Sequence, residues 1–321
     1  MNRRAFVTGL GAVLVAPLGV EAQQAQRVRR VGLYATTNPK EWFADGLREL
    51  GWVDGQNIVI DWQSRPAADV ELATEVVADI EKRQLDVAVV GGPHLIRAAM
   101  RATKKIPLIG IDLESDPVAS GFVKSLARPG MNISGVWLDL PELAGKELQL
   151  LRDLSPALNR IAVLLDDQLG APQLAAAQSA ASSLNLTLHP VSVRRVADID
   201  DAWRQLLAAK PQAVLSLTAP VVFQSQTRIA ELARLHRLPS ICAFSTYTER
   251  GGLIAYGPYF PTMWRQTAVY VDRILRGAKV SELPIERPIK FALILNARTA
   301  KALALTIPPS LLLRADQVID P

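Results

Sequence analysis

From residue 28 onward, short apolar runs alternate with stretches in which apolar residues recur at helical spacing. Val31 to Ala35 reads as a buried strand running into the polar loop Thr36-Thr37-Asn38-Pro39. Trp42, Phe43, Leu47 and Leu50 then recur near helical spacing until Gly51 stops the helix. Asn57 to Asp61 predicts a second strand. Val70, Ala73, Val76, Val77 and Ile80 predict a helix over residues 70–82. Asp86 to Val90 is a third strand that meets Gly91-Gly92-Pro93, and a helix over 95–104 leads to a fourth strand, Pro107 to Ile111. Continuous Val/Ile/Leu strands separated by helices indicate a parallel sheet covered on both faces.

The pattern then restarts. Strands are expected at Arg160 to Leu165, Leu186 to Val191, Ala213 to Leu217, Pro239 to Cys242 and Leu253 to Tyr256, with helices over Ala171 to Leu184, Asp198 to Ala209 and Phe223 to His236 between them. The expected architecture is α/β, two Rossmann-like parallel-sheet lobes. The first crossing between them is placed near Ser134 to Leu138. The helix Trp264 to Arg276 returns to the first sheet, and Phe291 to Leu295 closes the second. This assigns residues 28–134 with about 260–288 to one lobe, and 135–259 with about 289–321 to the other.

Composition agrees with two independent cores: 321 residues, of which 49% are hydrophobic and 21% charged, exclude a disordered chain. A single cysteine, Cys242, excludes a disulfide framework and any Cys-cluster metal site, and three histidines leave few ligands for another kind. The net charge of +5 is scattered rather than blocked, so no nucleic-acid partner is expected. At the N-terminus, Arg3 and Arg4 precede an apolar stretch from Ala5 to Leu18, and Val20-Glu21-Ala22 supplies small residues for cleavage. That is the layout of a secretory signal peptide over residues 1–22, with Asn2 to Phe6 partly resembling a twin-arginine signal. A mature protein in a bacterial periplasm is expected.

Nucleotide and hydrolase signatures are missing. There is no G-x-G-x-x-G, no phosphate loop and no G-x-S-x-G. Cys242 reads either as a small buried residue or as a nucleophile. Asp166-Asp167, after a strand, could hold a cation or a ligand ammonium. No catalytic constellation stands out, and no cofactor is implied.

A family resemblance rests on long stretches. Phe43-x-x-Gly46-Leu47-Arg48-Glu49-Leu50-Gly51-Trp52-Val53-Asp54-Gly55-Gln56-Asn57-Ile58 resembles an early signature of extracytoplasmic substrate-binding proteins of ABC transporters, tryptophan/tyrosine-binding type. Asp116-Pro117-Val118, Gly121 to Ala127, Arg128-Pro129-Gly130-x-Asn132-Ile133-Ser134-Gly135 and Gly145 to Arg152 continue the likeness, as does Leu305 to Leu312. The resemblance implies a type I periplasmic-binding-protein-like fold, two lobes joined by a three-segment hinge and closing on a small ligand. It also implies a permease partner in the inner membrane and a monomer. A sensory module feeding a chemoreceptor or kinase shares the same physics, and an exported hydrolase is a third reading.

In open parallel sheets ligands gather at the carboxyl ends of the strands. That rule selects Thr36 and Thr37 as hydroxyl donors, Gly91 and Gly92 for backbone approach to a carboxylate, and Asp112, Glu114 and Asp116 as acceptors from the first lobe. From the second it selects Asp166, Gln168, Thr218, Ser245, Glu249 and Tyr256. Trp42 and Trp137 are candidates to stack on a planar ligand, Trp42 equally a core residue. Gly135 and Gly257 are candidate hinge points.

Overall fold

The computed structural model describes residues 27–35, 39–64, 79, 80, 82–138 and 140–320. The expected signal segment, Thr36, Thr37 and most of the expected helix over 70–82 lie outside them.

Each apolar run of the first half becomes a parallel strand: β1 (Arg29–Ala35), β2 (Ile58–Ser64), β3 (Val87–Gly91), β4 (Leu108–Asp112) and β5 (Ile133–Trp137). They order as β2-β1-β3-β4-β5, with helices α1 (Lys40–Glu49) and α2 (Pro93–Ala102) between them in sequence. The second half supplies β6 (Arg160–Asp166), β7 (Thr187–Val193), β8 (Ala213–Ser216), β9 (Ser240–Cys242), β10 (Ile254–Pro258), β11 (Phe291–Asn296) and β12 (Gln317–Ile319). The order is β12-β11-β10-β9-β8-β6-β7, parallel throughout except where β11 runs antiparallel to β10. Helices α3 (Leu140–Leu154), α4 (Ala171–Ser183), α5 (Ile199–Ala208), α6 (Pro220–Gln224), α7 (Gln226–Leu235) and α8 (Thr246–Glu249) connect these strands. They are followed by α9 (Phe260–Leu275), α10 (Ala297–Ala302) and α11 (Pro309–Leu312). The expected helix over 223–236 is two helices meeting at Ser225, the first begun by Pro220, whose fixed φ suits a helix start.

Strand β5 puts the first crossing at the end of the expected stretch 134–138 and moves the lobe bound beyond residue 134. Ile133 to Trp137 pair with Leu108 to Asp112, so the chain leaves the first sheet after Trp137 rather than at residue 134. The run is short and follows a long loop, which is why it read as a connection. The chain next changes sheets between β10 and α9, and again between Glu286 and β11. These passages lie side by side: Trp137 N–H donates to Glu286 O at 2.9 Å, Glu286 N–H to Gly135 O at 3.0 Å, and Tyr259 N–H to Lys290 O at 2.9 Å. Helix α9 packs back on α1, where Trp264 meets Phe43 edge-on at 6.3 Å and Trp52 Nε1 donates to Asp272 at 2.8 Å.

Gly135 and Gly257, the expected hinge glycines, are close-approach positions inside strands. A Cβ on Gly135 would lie 2.1 Å from Gly110 O, and one on Gly257 1.9 Å from Ala243 O. They are small because neighbouring backbone occupies the side-chain position.

The second core contains one acid. Glu147, on α3, is 2% exposed, and its Oε1 has no hydrogen-bond partner among the described residues. Burial holds its carboxyl well above the ordinary value of 4.5. The unfolded chain therefore loses this proton near the ordinary value while the folded one keeps it. Stability contributed below that value is lost as pH rises toward the folded one. Glu147→Gln is expected to raise stability at pH 8 by about 1 kcal/mol or more and to flatten the decline between pH 5 and 8. Thermal melts of both proteins across that range check this; parallel pH profiles would contradict it.

Candidate functional site

The carboxyl ends of both sheets face one another across a chamber. From the first sheet come Ala35 after β1, Gly91 and Gly92 after β3, and Ile111, Leu113 and Glu114 around the end of β4. From the second come Pro220 and Phe223 of α6, which follows β8, and Phe244, which follows β9. Helix α9, entered directly from β10, adds Phe260, Met263 and Trp264. In each sheet the strand order reverses beside this space, between β1 and β3 and between β6 and β8, where open α/β sheets bind ligands. The space is about 470 Å³, part of it open to solvent. Apart from Glu114 its walls are apolar.

The aromatic wall is internally fixed. Phe223 and Phe244 meet edge-on at 4.9 Å, and Phe260 lies 6.2 Å from Phe223 and 6.4 Å from Phe244. The Arg250 guanidinium sits over the Phe223 ring at 5.8 Å. None of Phe223, Phe244, Phe260, Met263 or Trp264 was selected from the sequence. The strand-end rule reaches the loops that carry Phe223 and Phe244, but the selection there favoured polar side chains.

Two recesses adjoin the chamber, and the first is polar. One, which shares Pro220 with it, is lined by His94 from the first half and by Asp166, Asp167, Gln168 and Arg194 from the second. The other shares Glu114 and sets Ser115, Asp116, Gln168 and Arg287 among Leu126, Trp137, Leu138, Leu169 and Ile285, so it is largely apolar. Glu114 thus stands where the chamber meets this second recess.

The acids divide into those that build loops and one that faces the space. Asp112 is fully buried, and its carboxylate accepts from Glu114 N at 2.8 Å, Ser115 N at 3.1 Å and Ser115 Oγ at 2.5 Å. It shapes the turn after β4 instead of meeting a ligand. Asp116 accepts from Val118 N and Ala119 N, and Asp166 from Gln168 N and Leu169 N. Both line a recess, each holding its own loop through Oδ1. Glu114, 8% exposed, accepts from Leu113 N at 3.2 Å, and its carboxyl is hydrogen-bonded to that of Asp112. Burial first, then the negative charge of Asp112 and, across the gap, that of Asp166, hold its carboxyl well above the ordinary range.

The remaining expected positions sort by local geometry. Gly91 and Gly92 line the chamber, but Gly92 N–H donates to Ile111 O at 2.8 Å and is not open to a carboxylate. Trp137 is 2% exposed with its ring pressed on Gly110, where a Cβ would lie 2.3 Å from it; that face cannot stack on a ligand. Trp42 is half-buried against the main core. Thr218 is buried, its backbone clamped by Gln173: Gln173 Nε2 donates to Thr218 O at 2.8 Å and Thr218 N–H to Gln173 Oε1 at 2.9 Å. Ser245 is buried, and its carbonyl accepts from Thr248 Oγ1. Glu249, carried to the far end of the short helix α8, lines a separate depression with Arg234, Asn296 and Arg298. Tyr256 lies within β10 opposite Leu293, its ring 6.1 Å from that of Phe291, so it packs on the sheet and does not face the gap. Cys242 is wholly buried, and burial pushes its thiol far up, which removes the thiolate a nucleophile needs.

Two facing parallel sheets, three adjacent passages between them and a chamber at both sets of strand ends define a two-lobed solute-binding protein. The family profile of ABC transporter substrate binding proteins matches residues 30–319, and the chain belongs to that family. It is an ABC transporter substrate-binding protein, a class that works outside the cytoplasm. It is 26% identical over 271 residues to a tyrosine-binding protein of Clostridioides difficile (strain R20291), covering 82% of this chain and 76% of that one. A Streptococcus pneumoniae ABC domain in complex with L-Trp matches with a TM-score of 0.82 at 22% identity, over 91% of this chain and 99% of that one. A conserved domain protein of Vibrio cholerae gives 0.80 at 24%, over 91% and 100%. Among the described residues, no helix is long and apolar enough to cross a membrane.

Proposed function

We propose that this protein captures an aromatic amino acid between two closing lobes and delivers it to an inner-membrane permease. The observation that carries this reading is the single buried acid, Glu114, at the edge of a chamber walled by Phe223, Phe244, Phe260 and Trp264. A ring placed there leaves water on nearly every side. Burying about 150 Å² of it supplies about 4 kcal/mol before the costs of immobilisation. The α-ammonium then lies at the junction with the second recess, beside Glu114, Ser115 and Asp116, where Glu114 accepts from it. Asp166 contributes its field from the opposite lobe.

Closure follows from differential contact. An ammonium is attracted by Glu114, once that carboxyl has released its proton, and by Asp166 of the opposite lobe, and both attractions act together only when the lobes are near. Ligand affinity is therefore higher in the closed state, which is the condition for a ligand to drive closure. The first lobe comprises residues 28–138 with about 260–288, the second about 140–259 with 289–320. Names of relatives that bind L-Trp or tyrosine support the ligand class. The N-terminal pattern over 1–22 supports export to the periplasm, where the protein would work as a monomer.

The test is a thermal-denaturation screen with L-tryptophan, L-tyrosine, L-leucine and D-glucose. An aromatic amino acid at 100 times its dissociation constant should add about 2.7 kcal/mol of stability, and the other two nothing. Stabilisation by glucose alone, or by none of them, would refute the reading.

A further inference from the structure

Positive charge that is scattered along the sequence is gathered by the fold on one side of the first lobe. Arg97 and Arg101 stand one turn apart on the exposed side of α2. Lys104 and Lys105 follow where that helix ends, Lys104 Nζ donating to Met100 O at 2.6 Å. The loop from Gly121 to Asn132 is pinned alongside. The Arg97 guanidinium lies over the Phe122 ring at 5.1 Å, and Asn132 Nδ2 donates to Thr103 O at 3.0 Å and Ile106 O at 3.1 Å. This loop adds Lys124 and Arg128, held close by a turn in which Lys124 N–H donates to Pro129 O at 2.9 Å. All six cations are exposed, and none makes an ion pair among the described residues. The acids on the neighbouring loops are otherwise engaged: Asp116 accepts from Val118 N and Ala119 N, and Glu282 pairs with Lys279. These six charges exceed the net charge of +5 of the whole chain, so the rest of it sums to a negative charge. Between Lys124 and Arg128 stands Leu126, 46% exposed.

We propose that this face docks the protein on the surface of an anionic phospholipid bilayer, its cations meeting headgroup phosphates and Leu126 entering beneath them. Each Lys or Arg that comes close to such a surface raises affinity about fivefold, and the attraction fades within a Debye length, about 8 Å at physiological salt. An acidic protein surface would also answer the charge. Leu126 favours the bilayer, because an apolar side chain flanked by cations leaves water below the headgroup layer while its neighbours stay on the phosphates. Helix α2 starts beside the chamber and runs about 15 Å away from it, so the cations at its far end can touch lipid while the chamber stays open. Docking of this kind confines the protein to the membrane of its proposed permease and reduces the search for it from a volume to a surface. It is independent of which solute the chamber takes.

The experiment is co-sedimentation of the exported protein with vesicles of phosphatidylglycerol and phosphatidylethanolamine in equal parts, and with vesicles of phosphatidylcholine alone. At about 20 mM salt the anionic vesicles should bind at least about tenfold more tightly than the neutral ones, and at about 300 mM the difference should largely vanish. The combined variant Arg101→Gln, Lys124→Gln, Arg128→Gln should lose about tenfold or more. The variant Lys210→Gln, Arg237→Gln, Lys301→Gln removes the same charge from exposed positions of the second lobe and should stay within about twofold of wild type. Leu126→Ser should bind about threefold more weakly. All these positions are exposed, where substitution leaves the fold intact. Equal binding to both kinds of vesicle, equal losses in the two combined variants, or no vesicle binding at low salt would overturn the proposal. Binding of poly-L-glutamate as tight as that of anionic vesicles, with Leu126→Ser behaving as wild type, would replace the bilayer by an acidic polypeptide.

Discussion

Gly135→Ala is expected to cost about 3–5 kcal/mol of folding stability. Two independent terms add. The residue sits at φ +140°, a conformation that side chains rarely adopt, and strain there costs about 1–3 kcal/mol. A Cβ would also lie 2.1 Å from Gly110 O and 2.8 Å from Gly110 N, backbone atoms that move only if β4 moves. Overpacking of this kind costs about 1–3 kcal/mol or more. The position matters for function because Glu286 N–H donates to Gly135 O, tying the last passage between lobes to β5. Denaturant unfolding of the variant measures the loss. A variant of wild-type stability with altered ligand kinetics would show Gly135 to be a hinge after all.

Glu114→Gln is expected to weaken binding of an aromatic amino acid by about 10- to 100-fold, the worth of a charge-assisted hydrogen bond. The deaminated analogue indole-3-propionate should bind the variant and the wild type alike. The same residue sets a pH dependence. With its carboxyl held above the ordinary range in the empty protein, Glu114 must release a proton before it accepts from an ammonium. Affinity should then rise with pH through that value and level off above it, and binding should release protons. Calorimetry in buffers of differing ionisation enthalpy reads this release. A pH-independent affinity with no proton release, or an unchanged affinity in Glu114→Gln, would place the ammonium elsewhere.

How much of this was legible in the sequence follows from what each pattern encodes. Parallel strands buried on both faces appear as unbroken Val, Ile and Leu runs, so Arg160–Asp166 and Phe291–Asn296 were placed within a residue. Strand Ile133–Trp137 was read as a connection because its identity depends on pairing with β4, which no local pattern records. The strand-end rule found Gly91, Gly92 and Glu114 at the chamber. It chose wrongly at Asp112, whose polarity serves its own turn through Glu114 N and Ser115 N, and at Tyr256, which precedes the strand end by two residues. The aromatic wall escaped because an apolar residue in a loop looks the same whether it faces core or cleft. Trp264 shows this most clearly. Helical spacing placed it on α9, and only the return of α9 across the gap brings it to the site.

The central claim is that two lobes close on the ligand, and small-angle X-ray scattering with and without saturating aromatic amino acid tests it most directly. Bound protein should scatter with a smaller radius of gyration and a shorter maximum dimension. Superimposable curves for the empty protein and for protein shown by calorimetry to be saturated would contradict it.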